Sequence, residues 1–295
     1  VHGWLILDKP IGLGSTQAVS AVKRALRQGG YGKVKVGHGG TLDPLASGVL
    51  PVALGEATKL SGRMLDADKA YDFTIRFGEE TATLDLEGDV VATSTVRPAR
   101  AAIEAILPRF TGPIDQVPPA YSALKIDGKR AYDLARAGAP VELATRAVTI
   151  HALTLVECTP DAVTLAARVS KGTYIRSLAR DIARALDTVG HVVMLRRTKA
   201  GPFTLENAIM LDKLDQAAKD ARLQELLLPL TAGLDDIPVL AVSPEQAHAL
   251  RQGRTLFGIA APPGLTLATL GDVPVALVEV GTETTVVRGF NLMSE

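Results

Sequence analysis

The sequence predicts an α+β chain, with a mixed, largely antiparallel sheet followed by a small β-rich C-terminal domain. Three observations carry this reading. Strand-like and helix-like segments are interspersed without a regular βαβ rhythm. Residues 147–157 and 162–169 read as two strands of a hairpin. The composition shifts near Pro229–Pro238, and beyond it short strand-like runs are punctuated by glycine and proline.

In chain order, residues 4–7 form a short strand. Ser15 and Thr16 are candidate N-caps for a helix carrying Val19, Val22 and Leu26 at helical spacing. Residues 29–48 contain Gly29, Gly30, Gly32, Gly37, Gly39, Gly40 and Gly48 and read as loop. Tyr71, Phe73, Ile75 and Phe77 alternate, as in a strand with one buried face. Residues 98–110 are helical and stop before Gly112-Pro113. Gln116–Tyr121 is extended, because Pro118 and Pro119 each hold the preceding residue out of the α region. A short helix over 130–137 and a longer one over Tyr174–Leu186 complete the first domain, taken as 1–237. The second, 238–295, holds a helix at Pro244–Leu250 and strands at 265–270, 273–280 and 284–288.

A chain of 295 residues with 47% apolar content can bury a substantial core. No run of about 18 uncharged apolar residues occurs, so no membrane span is expected. The start, Val1–Pro10, lacks the basic region and long apolar core of a signal peptide, and the missing Met is read as a trimmed N-terminus. Cys158 is the only cysteine, which excludes an intrachain disulfide and a cysteine-based zinc site and makes a cytoplasmic location the expectation. The 32 basic and 32 acidic residues cancel, but unevenly. Residues 1–60 carry seven Lys/Arg against three Asp/Glu, residues 171–201 seven against two, and residues 202–295 six against twelve. A local basic face of that kind is what nucleic-acid binding requires.

The densest segment is Lys35–Leu50. It places Asp43 in a glycine-rich loop directly before an apolar run. Pro44 fixes its own φ and keeps Asp43 extended, and the glycines let a ligand approach the backbone. Two readings stand on these residues: an Asp-Pro turn, or a carboxylate presented to a ligand. No Gly-Lys-Ser/Thr closes the segment as a phosphate-binding loop would, and Gly12-Leu13-Gly14 lacks the third glycine of a dinucleotide site. Taken singly, Tyr71 and Tyr174 are half-buried aromatics, His38 is a loop histidine and Leu195 is core. Arg176, Arg180 and Arg184 at i+4 spacing could share a solvated helix face.

His38-Gly39-Gly40-Thr41-Leu42-Asp43-Pro44-Leu45-Ala46-Ser47-Gly48 resembles the signature of the bacterial tRNA pseudouridine-55 synthase family. Further segments resemble its motifs in order: Gly3–Pro10, Lys69-Ala70-Tyr71, Val117–Lys125, Ser170–Leu178 and Leu195–Thr198, so the likeness spans about residues 3–203. The resemblance implies the pseudouridine synthase catalytic fold, an RNA-gripping insertion at about 117–145, and a PUA-like domain over 238–295. It implies isomerisation of uridine 55 in the tRNA T loop, with Asp43 as the essential carboxylate and Arg176 paired to it. Tyr71 would stack on the flipped base, Tyr174 would act as base or proton relay near C5, and Leu195 would close the pocket. His38 would help extrude the base, and Gly39 and Lys171 would join it in binding substrate. No cofactor or metal is implied. The partner is the T arm of tRNA, with no obligatory protein partner and a monomeric enzyme.

Two alternatives are the catalytic subunit of a guide-RNA ribonucleoprotein and a non-catalytic RNA-binding or tRNA-folding module. The insertion Tyr121–Gly138 fits the stand-alone enzyme, and Asp43 together with Arg176 argues against a pure binder. The C-terminal domain has only Arg251, Arg254 and Arg288 as basic residues, so its fold carries over more safely than an RNA contact.

Overall fold

The computed structural model of the protein describes residues 1–121, 125–126, 129–130 and 143–292. The helix expected over 130–137 and most of the insertion expected at 117–145 lie outside the described residues.

Strand β1 (Gly3–Lys9) is buried on both faces, with Trp4, Leu5, Ile6 and Leu7 all at 1% exposure or less. Helix α1 (Ser15–Gln28) follows, starting one residue after Gly14. Neither Ser15 nor Thr16 caps it. Gly14 is the cap residue, and its N–H donates to Gln17 Oε1 at 2.9 Å. The stretch 29–48 is not wholly loop, for it holds β2 (Val36–His38) and the start of β3 (Ala46–Leu54). Gly48 lies inside β3 at φ 108°, where a Cβ would sit 2.1 Å from the Arg197 carbonyl oxygen. Glycine there admits the close approach of a neighbouring backbone rather than marking a turn.

The chain continues through α2 (Ser61–Asp66), β4 (Lys69–Phe77), a small hairpin of β5 (Glu79–Thr81) and β6 (Val90–Thr93), α3 (Arg100–Ile106), β7 (Gly112–Gln116), and a pair of two-residue strands, β8 (Lys125–Ile126) and β9 (Lys129–Arg130). Then come β10 (Arg146–Cys158), β11 (Ala162–Val169), α4 (Ile175–Ala185), β12 (Gly190–Ala200), β13 (Phe203–Thr204) and α5 (Leu211–Lys219). The main sheet runs β1-β3-β12-β4-β11-β10-β7, with β2 added beside β3 and β13 beside β12. Neighbours are antiparallel except β3 and β12, which run parallel with Leu195 opposite Ala46 and Arg197 opposite Gly48.

The registers align Lys9, Gly48, Arg197 and Tyr71 in one row across four strands. Side chains of directly paired residues share a face. The same face therefore carries Leu5, Leu7, Leu50, Val52 and Leu54, which pack with α1 residues Ala18, Val22, Ala25 and Leu26. It also carries Phe73 and Ile75, which pack with Ile175, Leu178 and Ile182 of α4. Tyr71 and Leu195 touch both clusters, so the seam between α1 and α4 runs through them.

The other face presents Trp4, Ile6, Val49 and Ala53. Against it packs a second sheet, β14-β16-β17-β18-β15, formed by β14 (Val239–Ala241), β15 (Leu256–Phe257), β16 (Gly264–Leu270), β17 (Val273–Val280) and β18 (Glu283–Gly289). Its helix, α6 (Pro244–Arg251), is capped by Ser243, whose Oγ accepts from the Gln246 N–H at 3.2 Å. Leu267, Leu277 and Phe290 join the cluster around Trp4. The connecting segment is fixed too, since Trp4 Nε1 donates to Leu230 O at 3.2 Å.

Candidate active site

Asp43 sits in the loop that ends where β3 pairs in parallel with β12, at Ala46 opposite Leu195. Several groups hold that loop. The Leu42 N–H donates to Ser15 Oγ at 2.8 Å, and the Ser15 hydroxyl donates back to Leu42 O at 3.0 Å. Ser15 thus pins the residue before Asp43 instead of capping α1. Arg197, 1% exposed, donates from Nε to Val49 O at 2.8 Å, from Nη2 to Gly40 O at 3.1 Å and from Nη1 to Thr41 O at 3.4 Å. A planar fork suits this task, because it bridges a strand and a loop with fixed donors.

Arg176 is the second residue of α4 and is buried, so it shares no solvated face with Arg180 and Arg184. Those two pair with Asp181 and Glu80. The Arg176 Nε lies 3.4 Å from Asp43 Oδ2, while its Nη1 donates to Thr83 O at 3.0 Å. The guanidinium therefore divides its arms between carboxylate and carbonyl. The start of α4 is set by Gln116, buried at 1% exposure, whose Oε1 accepts from the Tyr174 N–H at 3.0 Å while its Nε2 donates to Tyr174 O at 3.2 Å.

These placements bring Asp43, Tyr71, Tyr174, Arg176 and Leu195 around one cavity of about 290 Å³, joined by Lys69. Three other predicted site residues lie outside its lining. His38 is in β2, with Nδ1 buried and without a hydrogen-bond partner among the described residues. Burial, aided by the charge of Arg197, lowers its pKa below the usual histidine value, so its ring is neutral at pH 7. Gly39 packs on Met64, whose Cβ would be 2.5 Å from any Cβ added there. Lys171 is exposed, with its ammonium 3.4 Å from Asp66 Oδ1.

The sequence reading gave no site role to Lys9, Lys69, Arg197 or Gln116, and took Ser15 only as a candidate helix cap. Lys69 donates to Met64 O at 2.5 Å, Ala67 O at 2.6 Å and Leu65 O at 2.8 Å, tying down the end of α2. Lys9 donates to Leu13 O at 2.5 Å and Pro10 O at 2.9 Å. Burial draws both ammonium groups down to about 8; Asp43 opposes this at Lys9, and Arg197 reinforces it at both. Both lysines lay inside the quoted motifs, which was the available signal. The pH consequence has a definite sign. Between pH about 8 and about 10.5 the unfolded chain holds a proton on Lys69 that the folded chain has released, so stability from this group rises with pH across that window. Thermal denaturation of the protein and of Lys69→Met at several pH values should show the protein gaining stability relative to the variant from neutral to alkaline pH. A constant difference would mean that Lys69 titrates as a free lysine.

A carboxylate beside a buried guanidinium, with two phenols and an apolar wall, can act as nucleophile or as base on a bound ring or sugar. Among the described residues no group of three or more His, Cys, Asp or Glu could hold a metal ion.

Residues 24–175 match the model of the TruB family pseudouridylate synthase N-terminal domain, and residues 176–235 match that of the tRNA pseudouridylate synthase B C-terminal domain. The second match ends before the second sheet begins at Val239. The tRNA pseudouridine synthase B of Novosphingobium aromaticivorans is 65% identical, over 99% of this chain and 98% of its own. That of Zymomonas mobilis is 63% identical, over 99% and 96%. Among solved structures, a chain of an H/ACA ribonucleoprotein bound to a substrate RNA containing 2′-deoxyuridine superposes with a TM-score of 0.73 at 26% identity, over 98% of this chain and 85% of that one. A chain of a Cbf5-Nop10-Gar1 complex gives 0.72 at 28% identity, over 99% and 84%. With more than half of the sequence matched by the first model and relatives aligned along nearly its whole length, the chain belongs to the TruB family of pseudouridylate synthases.

Proposed function

We propose that the protein converts uridine 55 in the T loop of tRNA to pseudouridine, with Asp43 as the catalytic carboxylate. The observation that carries this is the convergence of Asp43, Arg176, Tyr71, Tyr174 and Leu195 on one cavity. The reaction is an isomerisation: the C1′–N1 bond breaks, the uracil turns, C5 bonds to C1′, and the proton lost from C5 is balanced by one gained at N1. Asp43 either attacks as a nucleophile or removes a proton from the sugar, and the Arg176 Nε, 3.4 Å from Oδ2, orients the carboxylate for either route. Tyr71 stacks on the flipped base, Tyr174 serves the proton at C5, and Leu195 closes the pocket. The neutral ring of His38 supports extrusion of the base. Gly39, packed on Met64, shapes the loop that carries Asp43, and the exposed Lys171 meets the RNA backbone.

The relatives named tRNA pseudouridine synthase B are far more similar than the ribonucleoprotein chains, which favours tRNA modified without a guide. On this reading the enzyme works as a monomer in the cytoplasm, with 1–237 as catalytic domain and 238–295 as a PUA-like appendage. The test is to incubate the pure protein with tRNA lacking the modification and to map pseudouridine. Conversion should occur at the T-loop uridine, and no product without an added guide RNA would overturn the proposal. Conversion of a prefolded T-arm hairpin should also proceed undiminished in excess chelator. Inactivation reversed by a single divalent metal would contradict an aspartate-centred mechanism.

A further inference from the structure

Between Asp8 and Asp43 the sequence contains no acidic residue but six cations: Lys9, Lys23, Arg24, Arg27, Lys33 and Lys35. Four of them, Lys23, Arg27, Lys33 and Lys35, line one open groove of about 680 Å³ floored by Leu26 and Val34. All four are exposed. None forms an ion pair within 4.0 Å among the described residues. The local structure gathers them. Lys23 and Arg27 are one turn apart at the end of α1, a like-charge i,i+4 pair that weakens an isolated helix. After the glycine turn, Val34 and Val36 pack inward on the α1 cluster, while Lys33 and Lys35 stay exposed. Like charges held together with no acid in the lining form a site for an external polyanion.

The groove has a fixed relation to the cavity. The first residue of α1, Ser15, is bonded to Leu42 beside Asp43, and the groove lies at the opposite end of the same helix. The 14 residues of α1 span about 20 Å. Both ends rest on the sheet face that carries Tyr71 and Leu195. A nucleic-acid strand rises about 3.4 Å per stacked step, so this distance is on the order of six nucleotides.

We propose that this groove is a second RNA subsite, gripping phosphate backbone about 20 Å from the uridine that is isomerised. It rests on the function proposed above and extends the footprint beyond the pocket. The test is the variant Lys23→Gln/Arg27→Gln/Lys33→Gln/Lys35→Gln, whose changes are all at exposed positions, with folding checked by thermal melting. Affinity is measured over a range of salt concentrations for a T-arm hairpin and for full-length tRNA, alongside single-turnover rates at saturating RNA. The slope of log affinity against log salt should fall by about three, with affinity at low salt reduced at least roughly tenfold on one or both RNAs and the saturated rate unchanged. Loss on full-length tRNA alone places the contacts outside the T arm, and loss on both places them within it. A slope change below about one on both RNAs would overturn the subsite. So would an equal loss per charge from Arg24→Gln, exposed on the same helix but outside the groove lining, since that would indicate a diffuse field. Binding is read without turnover, so failure of the proposed reaction would be seen separately.

Discussion

Asp43→Asn protein should bind T-arm RNA within a few-fold of the unaltered enzyme and form no pseudouridine, a rate loss of at least about ten-thousand-fold. The amide keeps the size of the carboxylate but can neither attack carbon nor accept a proton. The loop around it does not depend on the side chain: Ser15 and Arg197 hold backbone atoms of Gly40, Thr41 and Leu42, and the Asp43 carbonyl accepts from Ala46 N–H at 2.9 Å. Binding should therefore survive. Single-turnover product from the variant at a rate near that of the parent would remove Asp43 from its role.

Arg176→Lys should slow the saturated rate by roughly a hundredfold to a thousandfold while preserving charge. The geometry explains why charge is not enough. Arg176 holds Thr83 O with one arm and faces Asp43 with another, and a single ammonium cannot fill both positions at once. Loss of the Thr83 contact would strand a buried carbonyl, or loss of the Asp43 contact would free the carboxylate to turn. Asp43 is 40% exposed, so the pair is partly solvated and the effect should fall on the rate more than on folding. Turnover close to normal with a depressed melting temperature would reassign Arg176 to a structural role.

Much of the architecture was legible because the pattern is local. The alternation through Tyr71, Phe73, Ile75 and Phe77, the 146–169 hairpin and the helix after Tyr174 each announce themselves within a dozen residues. β12 did not, although it is central to the main sheet. Its run from Leu195 to Lys199 places two arginines in succession, and the parallel pairing that buries one of them is a property of strands separated by well over a hundred residues. Arginine is ordinarily exposed, so nothing local distinguishes Arg197, buried at 1% exposure, from Arg196, which pairs with Asp8 nearer the surface. The glycines at 29–48 misled in the opposite direction: Gly48 serves close strand packing, while Gly39 serves contact with Met64. The roles given to Asp43, Arg176 and the two tyrosines came from family resemblance, not from spacing. Ser15 and Gln116 act on backbone atoms 27 and 58 residues away, beyond any local pattern.

The back face of the main sheet has a mechanical consequence. Trp4, Phe203, Leu230 and Leu234 share one apolar cluster with Leu267, Leu277 and Phe290 of the second sheet, and Lys59 and Glu56 bond the backbone at Gly289 and Asn291 across the junction. Two sheets joined in this way melt together, so calorimetry should record a single transition, and removing residues 238–295 would uncover a greasy wall rather than release a tethered module. Anything the second sheet grasps is then held at a constant offset from the cavity. Where a flexible tether would supply only a high effective concentration, this junction supplies a ruler.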